Sequence, residues 1–123
     1  MGVIARWDNG DRKTLLIEFS DPWTWNDYHA MIARATEMVN QVIHTVDVIA
    51  DLRNSSTVPD SDVIRNLVGG LNQMPYNVGL YVIVGLDGFE KSIATVFEKA
   101  MNSAAVVRSL DEARAYLARW RVW

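Results

Sequence analysis

Two runs, Val46 to Leu52 (VDVIADL, with the polar Asp47 near its start) and Val78 to Gly85 (VGLYVIVG), are mostly apolar at successive rather than alternate positions. A strand of that kind has no face to give to water. Both of its faces need cover, which a parallel sheet crossed by helices provides. The segments around the two runs fit that demand. Trp25, Tyr28, Ile32, Ala35, Val39 and Val42 recur every three or four residues and predict one apolar helical face. Val63, Ile64, Leu67, Val68 and Leu71 predict a second face, within a helix running from Asp60 to Leu71. Phe89, Ile93, Val96, Phe97 and Ala100 predict a third.

The chain ends complete the pattern. Val3 to Trp7 and Thr14 to Phe19 read as strands joined at Asn9-Gly10, a hairpin turn signal. Thr24 and Asp27 have capping-box spacing ahead of the first helix. Ala104 to Val107 reads as a short strand. Ser109 and Glu112 form a second capping box, before a helix with Ala113, Tyr116, Leu117 and Trp120 inward. The order is β-β-α-β-α-β-α-β-α. It predicts a single α/β domain over residues 1–123, with four helices and about five strands in a mixed, mostly parallel sheet.

Composition narrows the function classes. A chain of 123 residues can bury roughly two-thirds of its unfolded surface, enough for its own core. A formal charge of −3 argues against a nucleic-acid module, which needs a basic face to neutralise phosphates. There is no Cys, so disulfides and thiolate chemistry are excluded. The start, MGVIARWDNGDR, has neither the basic flank nor the apolar run of a signal peptide, and no segment is apolar for long enough to span a bilayer. The expectation is a cytoplasmic protein without membrane insertion.

The stretch DLRNSSTVPDSDV, Asp51 to Val63, carries a resemblance, together with RSLDEARAYL and the element order. The chain resembles a divergent STAS domain, the family of sulfate-transporter C-terminal domains and bacterial anti-sigma-factor antagonists. In that family a strand ending in Asp-Leu leads through a loop to Asp-Ser-Ser/Thr-Gly at a helix start, and a partner kinase phosphorylates the first Ser. Asp51-Leu52 match the strand end and Asp60-Ser61 the start of the phosphorylation motif; Asp62 and Val63 stand where the family has a second hydroxyl residue and Gly. The resemblance implies a fold of STAS type, Ser61 as the phosphorylation candidate, and a protein partner such as an anti-sigma factor kinase, met through the Arg53–Ser61 loop and the following helix.

The residues themselves allow a plainer account. Asp60, Ser61 and Asp62 can simply cap a helix, and the two carboxylates oppose an added phosphate dianion between them. Ser55, Ser56 and Thr57 are further hydroxyls with no motif to recommend them. Asp51 at a strand end invites comparison with a phosphoacceptor receiver. Its required acidic pair is represented only by the separated Glu18 and Asp21, and Arg108 stands where a Lys is needed. Asp51 is better read as an acceptor for loop amides. Ligands in open α/β sheets bind beyond the carboxyl ends of strands, so Arg53, Asn54, Asp87 and Gly88 would line a crevice there, with Asp51, Asp60 and Asp62.

His29 and His44 are about four helical turns apart and do not converge as metal ligands. No metal, cofactor or catalytic set is expected. Trp7, Trp23, Trp25, Trp120 and Trp123 gather at the chain ends. Trp25 and Trp120 read as core and the others as cover for the hairpin; the sharper alternative is an exposed aromatic patch suited to a homodimer. The leading expectation is therefore a non-enzymatic regulatory or interaction module. The runner-up is a small-molecule or lipid carrier, with Met31, Met38, Met74 and Met101 lining an adaptable pocket.

Overall fold

Seven consecutive residues of the third strand, Val46 to Leu52, are buried, as a strand covered on both faces requires. The computed structural model describes residues 2–59, 62–89, 91–100 and 104–121; Asp60, Ser61, Met101 and Trp123 lie outside them. The strands are β1 (Val3–Trp7), β2 (Thr14–Ser20), β3 (Val46–Asn54), β4 (Val78–Val84) and β5 (Ala105–Val107). The helices are α1 (Trp25–Asn40), α2 (Val63–Leu71), α3 (Lys91–Ala100) and α4 (Leu110–Trp120), with a one-turn 3-10 helix over Leu86–Gly88. Element order and type match the sequence expectation. No helix among the described residues is long and apolar enough to cross a membrane.

The five strands form one sheet in the order β1-β2-β3-β4-β5. Only β1 runs antiparallel to its neighbour; the other pairs are parallel. Each parallel crossover steps the same way along the sheet. Right-handed crossovers taken in one direction put all their helices on one face. Accordingly α1, α2 and α3 build one core with Leu15, Ile17, Phe19, Val48, Ala50, Leu52 and Ile83. Helix α4, which returns to no strand, covers the other face, packing Ala113 and Leu117 on Leu16, Ile49, Val82 and Val84. Odd and even residues of β2 thus serve opposite cores, following the period-two alternation of a strand.

Local signals were accurate where side chains cap helices. Thr24 Oγ1 accepts from the Asp27 amide at 3.1 Å and Asp27 Oδ2 from the Thr24 amide at 3.0 Å, a complete capping box. At α4, Ser109 Oγ accepts from the Glu112 amide at 3.1 Å, but the Glu112 carboxylate takes the Arg108 amide, one residue before the cap.

Two expectations are corrected, and the hairpin gains detail. Helix α2 starts at Val63, not Asp60; Asp62 holds the N-cap position with φ 52° and makes no side-chain cap bond. The hairpin signalled by Asn9-Gly10 is present, with a six-residue connection. It spans Asp8 to Lys13, pinned by Asn9 Oδ1 and Asp11 Oδ1 accepting from the Asp11 and Lys13 amides, with Arg12 at φ 56°. Trp120 is 54% exposed rather than core, while Trp23 is 6% exposed. Indole–ring contacts explain the latter: Trp23 meets Phe19 at 5.1 Å and Trp25 at 5.2 Å, both edge-on, so one indole before the helix and one in its first turn share a single aromatic cluster.

Candidate functional site

At the carboxyl end of β3, the Asp51 side chain has almost no exposed surface and is gripped by Arg53. Arg53 Nε and one terminal nitrogen reach the two carboxylate oxygens at 2.9 Å each, and the Arg53 amide donates to Oδ1 at 3.1 Å. Burial pushes the Asp51 carboxyl up, but the Arg53 side-chain and backbone hydrogen bonds and its charge outweigh that and hold it below the usual carboxylate range. Loop amides were expected on Asp51; the amide that reaches it belongs instead to Arg53, still on β3, which adds its guanidinium.

The loop after β4 presses on the same place. Gly85 sits at φ 89°, and a Cβ there would lie 2.8 Å from Arg53 Cγ and 3.0 Å from its amide nitrogen. The two loops therefore meet at one sheet edge, as expected. Asp87 follows on the 3-10 turn Leu86–Gly88 and is exposed. Among the described residues, neither Asp87 nor the Asp62 side chain bonds to Asp51, Arg53 or Asn54; the Asp62 carbonyl instead accepts from the Asn66 amide at 2.9 Å and from Asn66 Nδ2 at 3.0 Å. The expected set is thus brought together only in part.

Residues outside that set anchor the loop after β3. The Asp21 amide donates to the Asn54 carbonyl at 3.1 Å. Asp21 Oδ2 accepts from both the hydroxyl (2.7 Å) and the amide (2.9 Å) of Ser56. These bonds, the Ser56 hydroxyl first, hold the Asp21 carboxyl below its ordinary range. Buried Trp23 donates from Nε1 to Ser55 Oγ at 2.9 Å, and Ser55 Oγ donates to the Thr57 carbonyl at 3.0 Å. Asp21 follows a strand end and the Ser residues follow its parallel neighbour, so the two-strand register sets them at one height; no local motif carries that information.

On the α4 side of the sheet, the strand ends that α4 leaves open carry paired charges. Glu18 lies opposite Asp51 in the β2–β3 register and takes Arg6 Nε at 2.8 Å. Arg114 of α4 reaches both Asp8 oxygens at 3.0 and 2.8 Å. Each of these three carboxylates has its own arginine, so they do not form a free acidic pair for acid–base work. The histidines are engaged elsewhere. Asn66 Nδ2 is spent on the Asp62 carbonyl, so His29 Nε2 donates to Asn66 Oδ1 at 2.7 Å; His44 Nε2 donates to the Arg12 carbonyl at 2.8 Å. No group of three or more His, Asp or Glu that could hold a metal ion occurs among the described residues.

Beneath α1, α2 and α3 is a cavity of about 30 Å³ lined by Phe19, Tyr28, Met31, Ala50, Tyr81 and Phe97, among others. Tyr28 donates to the Leu67 carbonyl at 2.9 Å, and burial pushes the Tyr81 hydroxyl up to about 12. Met31 lines this space; Met38 is core and Met74 packs at its margin. On α4, Trp120 and Tyr116 lie 6.4 Å apart with Arg119 over the indole at 5.4 Å, an exposed aromatic surface beside β5.

No family model, curated protein or solved structure matches the chain.

Proposed function

We propose that this protein is a non-enzymatic regulatory module of STAS type that docks a protein partner through the loop after β3 and the first turns of α2. One observation carries the reading. The loop's hydrogen-bonding groups are spent on its own neighbours, with Ser56 on Asp21 and Ser55 on Trp23 and Thr57. A loop spent in that way presents a fixed surface rather than a ligand cradle. Beside it α2 offers an apolar anchor, Ile64, 49% exposed, between the exposed charges of Asp62 and Arg65. An apolar centre with charged neighbours is the composition of a protein-docking patch.

The resemblance of Asp51-Leu52 and Asp60-Ser61 to the family motif adds the switch. A kinase partner of anti-sigma type phosphorylates Ser61, and the dianion, set between Asp60 and Asp62, repels an acidic partner surface or recruits an arginine-bearing one. The test is intact-mass measurement and site mapping on protein isolated from its own host. A phosphoryl adduct on Ser61, lost in Ser61→Ala without change in thermal unfolding, supports the reading. Phosphorylation that persists in that variant overturns the switch. Ile64→Asp is expected to weaken the partner complex at least tenfold; unchanged affinity overturns the docking surface.

The cavity beneath α1, α2 and α3, which Met31 lines, gives the carrier reading less support. Drug-sized ligands occupy pockets of roughly 300–1,000 Å³, and the apolar cavity holds about 30 Å³.

A further inference from the structure

The two open edges of the sheet differ. Strand β5 exposes three residues, short enough to offer little template. Strand β1 runs five residues in unbroken register with β2 and contains no proline and no bulge, the devices that protect a free edge. Its outward groups can be identified. Ser20 donates to Gly2 and Asp8 to Thr14, so even-numbered residues of β1 make the hydrogen-bonded pairs with β2. The N–H and C=O of Val3, Ala5 and Trp7 therefore point away from the sheet; Ala5 and Trp7 are half-buried and Val3 is the most covered of the three. The strand's face toward α4 also carries Ile4, 52% exposed.

We infer that the β1 edge pairs with the β1 edge of a second copy of this chain, antiparallel about a two-fold axis at Ala5, giving one continuous sheet across a homodimer. The sequence VIARW is self-complementary in that register. Val3 meets the second copy's Trp7, and Ala5 meets its own equivalent, where the smallest side chain lies at the axis. Each of these outward pairs exchanges two N–H···O bonds. Ile4 meets the second copy's Arg6 in a non-hydrogen-bonded pair, the closer kind. The arginine's methylene stem then covers the exposed isoleucine, while its guanidinium stays on its own Glu18. Moving the axis to Arg6 would set like charges face to face, which disfavours that register. This interface uses neither the loop after β3 nor Ile64, and it replaces the aromatic surface of α4 as the route to a dimer.

The outward N–H of Ala5 supplies the test. Ala5→Pro removes a donor that β2 does not use, so the intramolecular ladder keeps its bonds while strand addition is blocked. By analytical ultracentrifugation over a concentration series, the wild type is expected to dimerise and Ala5→Pro to dissociate at least tenfold more readily, with unchanged circular dichroism. Because the chain has no Cys, Ala5→Cys gives an independent readout. A hydrogen-bonded pair sets Cα atoms about 5.5 Å apart, with Cβ atoms wider than a disulfide accepts, so a short thiol-to-thiol cross-linker is expected to link the dimer covalently. If Ala5→Pro fails to fold, the Ala5→Cys result decides. A wild type that stays monomeric, an Ala5→Pro dimer of unchanged affinity, or no cross-link from Ala5→Cys overturns the inference.

Discussion

Asp47 has no exposed surface, and its charge is met by Arg121, whose Nε lies 2.7 Å from Oδ2, while the Leu80 amide donates to Oδ1 at 2.8 Å. Arg121 also donates to Thr14 Oγ1 at 2.7 Å. Gly79 completes the arrangement, because a Cβ there would lie 2.7 Å from Asp47 Oδ1. Removing one partner of a buried pair leaves the other charge unpaired. Arg121→Ala is therefore expected to cost about 3–5 kcal/mol in urea denaturation; a loss below about 1 kcal/mol would mean that water replaces the guanidinium. The Asp8 carboxyl is held low by its Arg114 hydrogen bonds, against the opposing effect of burial. A depressed folded pKa adds stability that is complete above the unfolded value near 4 and lost as pH falls through the folded one. The difference in melting temperature between wild type and Arg114→Gln should thus be largest near neutral pH and close as pH drops from about 5 toward 2. A constant difference would place the role of Arg114 in packing. None of these pairings could be read from the sequence. Asp47 was visible only as a polar residue near a strand start, and its partner lies 74 positions away.

Elements were far more legible. Strand and helix periods depend on neighbours within a few residues, so all five strands and four helices were predictable, most to within a residue or two. The failures are positions where the backbone leaves its common conformations. Asp62 adopts positive φ where a capped start for α2 had been expected, and Arg12 adopts it in the hairpin connection. How elements meet depends on close approaches that no period reveals. Helices α1 and α2 touch where Tyr28 crosses Gly70; a Cβ at Gly70 would come within 2.6 Å of the ring and its hydroxyl oxygen. Gly70→Ala should therefore destabilise by about 1–3 kcal/mol through overpacking, despite the better helix propensity of alanine. Tyr28→Phe, which loses only the bond to the Leu67 carbonyl, should cost about 1 kcal/mol. A neutral or stabilising Gly70→Ala in thermal denaturation would show that the helices can separate at this point.

At the scale of the molecule, the candidate site was partly legible because sheet logic is general. Parallel strands end on one edge, so Asp51, Arg53 and the loop after Gly85 had to be neighbours. The addition of Asp21, and the alternation of Arg6, Glu18, Asp51 and Arg53 across three strands, depended on a register that only the folded sheet defines. The two faces also differ in how they are closed. Three helices, each tied to strands at both ends, cover one face; α4 alone covers the other, tied back by Arg114 to Asp8 and by Arg121 to Asp47. A chain truncated after Arg108 should expose Leu16, Ile49, Val82 and Val84 and bind a hydrophobic dye strongly or aggregate, whereas a monomeric, dye-silent truncation would mean that the first core suffices.

The spatial order of the strands is their order of synthesis, so each new strand emerging from a ribosome finds its partner already in place. That is not true of α4, whose ion pair to the first hairpin spans 106 positions. Until α4 docks, a chain with a complete sheet still holds one bare apolar face of Leu16, Ile49, Val82 and Val84, open to chaperone capture.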